Sequence, residues 1–320
     1  MIEDARPGGH GHEAELTIGV DIGGTKIAAA TVDSRGGIVE TVVRSTPAAD
    51  GAGAVLAAVE SAIRELADHE RAAGIGVGTG GVVDHDRGIV LAANDLLPGW
   101  AGVDLRRELT ERLGKPVAVD NDVNAFAWAE QRFGAGVGYR DVLYVSVGTG
   151  VGGALVLAGR PHRGAHFTAG ELGHLAVPEA VGRRCNCGRL DHLEAIASGP
   201  AMSTRYAELG GEELDLRAIA DLARSGEALA TSVITDGARA LGRALAGLVN
   251  TIDVPRVVIG GGVADMAQVY WQPLTNAFAA ELLPGPGAVR PVPAALGPRS
   301  AVIGAAGLLA DHTPRTPLTR

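Results

Sequence analysis

The chain has 320 residues, 46% of them hydrophobic and 20% charged. At about 150 residues per domain this makes two domains with apolar cores, and it excludes a wholly disordered chain. Lys and Arg total 28 against 37 Asp and Glu, and the net charge of -9 disfavours nonspecific binding to DNA or anionic membranes. No run approaches the ~18 apolar residues of a membrane span. Residues 1–15 lack the apolar stretch of a secretory signal, so the expected compartment is the cytoplasm. Cys185 and Cys187 are the only two cysteines, one residue apart, which suits a metal better than a disulfide.

Residues 1–14 read as a flexible tail with several glycines. Residues 16–20 begin a strand that turns at Asp21-Ile22-Gly23-Gly24-Thr25-Lys26; residues 27–32 and 38–43 complete an antiparallel meander. Val55, Val59, Ile63 and Leu66 fall at helical spacing and predict a helix over 54–71. A strand at 75–77 ends at Thr79-Gly80-Gly81. A helix over 105–113 is stopped by Gly114 and Pro116. A strand at 117–119 runs into Asp120-Asn121-Asp122, with a helix over 124–133.

The pattern then restarts. A strand at 142–147 ends at Gly148-Thr149-Gly150-Val151-Gly152-Gly153, and 154–157 continues as a strand, a loose echo of the first half. Residues 160–193 have little periodicity and hold both cysteines and four of the nine histidines. Helices are expected over 196–209, 216–224 and 228–251, a strand at 257–259 before Gly260-Gly261-Gly262, and a last helix over 301–309. Two α/β lobes with a cleft between them follow from this order.

Glycine clusters let backbone N–H groups approach an anion without a Cβ in the way. With 47 glycines in the chain, one cluster alone is a weak signal. Thr25-Lys26 after Gly24 breaks the phosphate-loop pattern. Gly148, Gly150 and Gly153 satisfy the dinucleotide pattern, but a strand follows where a helix is required. Asp122, between a strand and a helix, is either a helix cap or a general base, with the neighbouring Asp120 the lesser candidate. His174, Cys185, Cys187 and His192 offer two imidazoles and two thiols suited to tetrahedral zinc, against the alternative of a metal-free loop with two thiols.

Taken together, Asp21-Ile22-Gly23-Gly24-Thr25-Lys26, Gly148-Thr149-Gly150-Val151-Gly152 and Gly260-Gly261-Gly262 resemble the two phosphate segments and the adenosine-side segment of actin/hexokinase-fold sugar kinases. With Gly170-Glu171-Leu172-Gly173-His174 and Cys185-Asn186-Cys187-Gly188, the chain more narrowly resembles the ROK family, over about residues 16–309. The resemblance implies a two-lobed α/β, actin-like ATPase (ribonuclease H-like) fold with an interdomain cleft. Its small lobe would hold residues 15–122 and 303–320, and its large lobe residues 123–302 with the zinc loop.

The implied activity is ATP-dependent phosphorylation of a hexose. Glucose at its 6-hydroxyl is the first expectation. An amino or N-acyl hexose, such as N-acetylmannosamine or 3-amino-3-deoxyglucose, is the alternative. Asp122 would be the catalytic base. Gly23, Gly24, Thr25, Gly148, Thr149, Gly150, Gly152 and Gly260 to Gly262 would hold ATP. Asp21 would organise Mg²⁺ through water, and Lys26 would either offset phosphate charge or stand as a solvated strand residue. Gly80, Gly81, Asn94, Asn121, Glu171, His174 and Glu194 would face the sugar, with a helix cap as the alternative for Glu194.

The family's Cys-x-Cys-Gly-x-x-Gly-Cys-x-Glu segment reads here as Cys185-Asn186-Cys187-Gly188-Arg189-Leu190-Asp191-His192-Leu193-Glu194. His192 thus stands for a cysteine and Asp191 for a glycine whose backbone angles the turn can require. Partners would be the sugar and, in a homodimer, a second copy of the chain, with no nucleic acid and no membrane. Repressors of the family carry a DNA-binding segment before the first turn; only 20 residues precede Asp21, so a sensor or repressor is the lesser expectation.

Overall fold

The computed structural model describes residues 15–311, so the expected tail and residues 312–320 of the expected small lobe lie outside the described residues. Strands β1 (Leu16–Ile22), β2 (Lys26–Asp33) and β3 (Ile38–Ser45) form the antiparallel meander, in register from Leu16 opposite Asp33 to Ile22 opposite Ile27. Ile18, Val20 and Ile22 alternate onto one face, as a strand over a core requires. Val55, Val59 and Ile63 of helix α1 (Ala52–Glu65) share that core. The helix stops earlier than its periodicity predicts. Leu66 turns to extended backbone (φ -65°, ψ 125°), and the Ala67 N–H donates to Glu40 Oε2 at 2.7 Å instead of continuing the helix.

Next come β4 (Ile75–Thr79), a hairpin of β5 (Val82–Asp84) and β6 (Ile89–Ala92) that the pattern did not predict, α2 (Leu105–Leu113) and β7 (Val117–Asn121). Helix α2 has both ends sealed: Asp104 Oδ1 accepts the Arg107 N–H at 3.0 Å, and Gly114 turns left-handed at φ 65°. The parallel strands β4 and β7 complete a sheet of order β3-β2-β1-β4-β7.

Helix α3 (Asp122–Phe133) leads into the second half: β8 (Val142–Val147), β9 (Val151–Leu157) and β10 (Arg160–His162). The helices α4 (Glu194–Ala197), α5 (Gly199–Glu208), α6 (Leu216–Arg224) and α7 (Ala228–Ile252) follow, then β11 (Arg256–Gly260), α8 (Gln268–Glu281), β12 (Pro291–Pro293) and α9 (Ser300–Asp311). The second sheet has order β10-β9-β8-β11-β12, the same meander-plus-two-parallel plan as the first.

The single helix expected over 196–209 is two. Ser198 leaves helical geometry (φ -75°, ψ 159°) and its Oγ accepts the Ala201 N–H at 3.3 Å, restarting the chain as α5. Helix α8 was not anticipated: Pro273 lies inside it and interrupts the pattern a helix would show.

Helices α3 and α9 cross between the sheets. Phe126 of α3 meets Tyr144 of β8 edge-on, with ring centroids 6.1 Å apart. Helix α9 lies backbone to backbone on its neighbours: a Cβ on Gly76 of β4 would fall 1.7 Å from the Ala305 carbonyl oxygen, and one on Gly304 would fall 1.7 Å from that of Ala125. Gly304→Ala should therefore destabilise the protein by about 1–3 kcal/mol, as overpacking does. Urea denaturation measures this, and an unchanged midpoint would show that α9 is not seated so closely.

Candidate active site

The carboxyl ends of the parallel strands carry the candidate residues, the edge at which open α/β sheets bind ligands. Asp122 opens α3. The helix cap is Asn121, not Asp122: Asn121 Oδ1 accepts the N–H groups of Val123 at 2.8 Å and Asn124 at 3.3 Å. Asn121 Nδ2 donates to the Gly81 carbonyl at 2.9 Å, which ties the start of α3 to the turn after β4. Asp122 Oδ1 accepts the Val123 N–H at 2.9 Å. Its carboxyl is held above the usual range because protein surrounds it, an effect opposed by the Val123 N–H and by Asn121.

Asp21, at the end of β1, is pushed up to about 6 by burial and by the charge of Asp122, with Lys26 opposing. Two carboxylates thus lie within electrostatic reach of each other, with one lysine beside them. The turn after Asp21 is closed by the Gly23 N–H donating to the Lys26 carbonyl at 3.0 Å and pinned by Thr46 Oγ1 donating to the Gly23 carbonyl at 2.7 Å. Thr25 and Lys26 are exposed at its tip.

Across the cleft, the β8–β9 turn is closed by the Gly148 N–H donating to the Gly150 carbonyl at 2.9 Å, with Thr149 exposed. At Gly150 a Cβ would meet Glu194 Oε2 at 2.6 Å, and at Gly152 it would meet Val123 Cγ2 at 2.8 Å. Gly260 ends β11. Gly261 adopts φ +86°, where a Cβ would fall 2.3 Å from the Val147 carbonyl oxygen. The third glycine turn therefore sits against the end of β8.

On the other side, the loop after β6 is anchored by the buried Trp100, whose Nε1 donates to Thr79 Oγ1 at 2.9 Å. Asn94 is exposed in this loop, and its Oδ1 accepts the Leu96 N–H at 3.1 Å. Gly80 follows β4, and Gly81 turns at φ +99° against the Ala92 carbonyl. Glu171 precedes a short turn at Leu172–His174. Burial raises its carboxyl, His174 opposes this, and the charges of Asp122 and Glu194 add to it. Glu194 opens α4 without capping it: its Oε2 accepts the Val151 N–H at 3.0 Å and its Oε1 accepts from Cys185 Sγ at 3.4 Å. Asp21, Asp122, Glu171 and Glu194 are thus coupled through space.

The four sulfur and nitrogen donors converge. Ligand atoms of His174, Cys185, Cys187 and His192 all lie within 4.8 Å of one another. The two Nδ1 atoms are 3.3 Å apart, Cys187 Sγ is 3.3 Å from His192 Nδ1, and Cys185 Sγ is 3.8 Å from His174 Nδ1. Bonds of about 2.3 Å to sulfur and 2.0–2.1 Å to nitrogen put tetrahedral neighbours about 3.3–3.8 Å apart, so the set fits zinc. His174 Nε2 points the other way, 3.6 Å from Glu171 Oε2. Asp191 takes the left-handed geometry that a glycine would favour (φ 69°), and its Oδ1 accepts the Gly182 N–H at 2.6 Å.

A family model described as ROK matches residues 17–312. The chain belongs to the ROK family. It is 33% identical to a glucokinase of Thermotoga maritima over 92% of this chain and 97% of that one. It is 35% identical to a kanosamine kinase of Amycolatopsis mediterranei, over 91% and 95%. A ROK glucokinase from Streptomyces griseus, solved with glucose and AMPPNP, superposes with a TM-score of 0.82 at 34% identity, over 92% and 98%. The two sheets are the halves of the two-lobed, actin-like ATPase fold. No helix among the described residues is long and apolar enough to cross a membrane.

Beside the ROK motifs stand residues the sequence did not single out. Thr46 pins the first glycine turn, and Arg163 grips Asp120 just before the Asn121-Asp122 pair. Arg163 sits in the aperiodic stretch after β10, where no spacing marks it. A cavity of about 480 Å³ lined by Glu179, Asp236, Arg239, Arg243, Pro273 and Glu281 includes none of the candidate site residues.

Asp21 also makes a testable contribution to stability. Its folded pKa of about 6 lies above the usual 3.8, so the folded state holds its proton more tightly and loses stability as pH rises between those values. Asp21→Asn should raise the Tm of the nucleotide-free protein at pH 7–8, and the gain should vanish below about pH 4. A lower Tm in the variant at pH 8 would contradict the crowding of Asp21 against Asp122.

Proposed function

We propose that this ROK protein transfers the γ-phosphoryl group of ATP to a hexose, with glucose at its 6-hydroxyl the leading acceptor and Asp122 the general base. The observation that carries the reading is Asp122 at the start of α3, coupled to Asp21 on the side of the glycine turns and to Glu171 on the other. Phosphoryl transfer asks the protein mainly for positioning and charge stabilisation. The Gly23 and Gly148 N–H groups close their own turns, which leaves the N–H groups of Gly24 and Gly150 and the hydroxyls of Thr25 and Thr149 as the donors offered to phosphate oxygens. Gly152, Gly260 and Gly261 let the nucleotide-side turns pack closely against Val123, Phe126 and Val147, and Gly262 leaves open space for the nucleotide. The raised pKa of Asp122 makes its carboxylate a stronger proton acceptor for a sugar hydroxyl. Glu171, His174 and Asn121 orient the other hydroxyls, with Asn94 and Glu194 beside them.

Asp21, crowded against Asp122 and only partly offset by Lys26, would hold Mg²⁺ through water; the ion would neutralise charge on the phosphoryl oxygens when bound. His174, Cys185, Cys187 and His192 would hold zinc, which ties the loop carrying Glu171 and His174 to α4. A pair of thiols poised as metal ligands and a need for ATP fit the cytoplasm. The amino-hexose reading is favoured by the relative named as a kanosamine kinase.

Sugar-dependent ADP release from Mg-ATP, measured over glucose, mannose, glucosamine, 3-amino-3-deoxyglucose, N-acetylglucosamine and N-acetylmannosamine, decides between them. The highest kcat/KM is expected for glucose. A preference for 3-amino-3-deoxyglucose would move the assignment to the amino sugar. No release above background with any of them would overturn the kinase reading.

A further inference from the structure

Asp120 lies one strand position before Asn121 and is 1% exposed at its side chain. A carboxylate so deeply buried needs partners for both oxygens. Oδ1 accepts the Asn121 N–H and Asn124 Nδ2, each at 2.8 Å, and so brackets Asp122 from both sides in sequence. Oδ2 accepts Arg163 Nε and lies within ion-pair distance of Arg163 Nη2, each at 2.7 Å. His85 Nδ1 lies 3.5 Å from the same oxygen. Arg163 comes from the other sheet's side of the cleft, directly after β10. Its carbonyl accepts the Ala169 N–H at 3.2 Å, closing the short loop that delivers Gly170 and Glu171. Gly170, at φ +101°, is pressed against the Gly153 carbonyl and leaves that loop little freedom.

One buried ion pair therefore joins the backbone before the candidate base to the root of the loop bearing the candidate sugar carboxylate. We propose that Arg163 and Asp120 are a positioning pair that sets Asp122 and Glu171 relative to each other for phosphoryl transfer. The proposal rests on the reading of Asp122 as base and Glu171 as a sugar contact. Neither Arg163 nor Asp120 needs to touch substrate. A displacement of the reacting groups by about 1 Å can cost as much as 100-fold in rate.

Kinetics of three variants in the full chain test it. Arg163→Met should lower kcat by about 10–100-fold and raise the sugar KM while leaving the ATP KM unchanged. It also leaves Asp120 buried without its cation, so a fall in stability is expected. The double variant Arg163→Met with Asp120→Asn removes that unpaired charge and keeps the Oδ1 acceptor. It should recover thermal stability without recovering kcat. In a background of Asp122→Asn, Arg163→Met should add little further loss of kcat, because its effect acts through Asp122. If kcat of the double variant returns to within about twofold of the wild type along with its Tm, the pair is only structural and the proposal fails. If Asp122→Asn alone keeps full turnover, the assignment of the base fails instead, which is a separate result.

Discussion

Asp122→Asn is expected to reduce kcat by about 10²–10⁴-fold, the usual contribution of a general base, equivalent to roughly 3–5 kcal/mol of barrier. The fold should survive. Asparagine keeps an acceptor for the Val123 N–H, Asn121 remains the helix cap, and one of two crowded carboxylates is removed. The sugar should still bind, because the candidate contacts from Glu171, His174 and Asn121 are untouched. Steady-state kinetics with calorimetric titration of glucose separate the two quantities. Turnover within a few-fold of wild type would remove Asp122 from the chemistry and leave its raised pKa as a consequence of burial alone.

Changing Cys185 and Cys187 together to serine should lower bound zinc from about one ion per chain to about none, with a lower Tm, because structural zinc binding is itself folding free energy. The kinetic effect should fall on the sugar. His174 offers Nδ1 to the cluster and Nε2 to Glu171, so loss of the cluster frees the ring that steadies this carboxylate. An increase in sugar KM of about tenfold or more with little change in the ATP KM is expected, in line with what metal outer-shell changes cost. Metal analysis by mass spectrometry and kinetics on the same preparation provide the check. Unchanged zinc content would refute this ligand set.

The strands and the glycine turns were legible because each carries a local signal: an apolar run stopped by residues that tolerate unusual backbone angles. The meander from Leu16 to Ser45 and its echo from Val142 need no long-range information. The break at Ser198 was not legible in helical periodicity, although the Ser198-Gly199-Pro200 string is a helix-start signature. Pro273 hid α8 in the opposite way, by interrupting a helix that tertiary packing maintains. At the site, the resemblance pointed to Asp122 and residue types to the thiol–imidazole set, while only coordinates show that Asn121, and not Asp122, caps α3. Asp120 read as a lesser rival of Asp122. Its partner Arg163 is 43 residues away, and nothing local joins them.

The position of α9 fixes an order of assembly. Val302 and Ala306 close over Ala30 and Val32 of β2, and Ala305 and Leu308 close over Ala118 of β7 and Ala125 of α3. The first sheet to leave the ribosome therefore keeps one apolar face bare until almost the whole chain has been synthesised. The second sheet can gather its core from α4 to α8 before that. Contacts between residue 19 and residue 302 close a very long loop, a slow step in which exposed strand faces are open to wrong pairing. The strands laid down early thus wait, with that face uncovered, for the helix that closes over them.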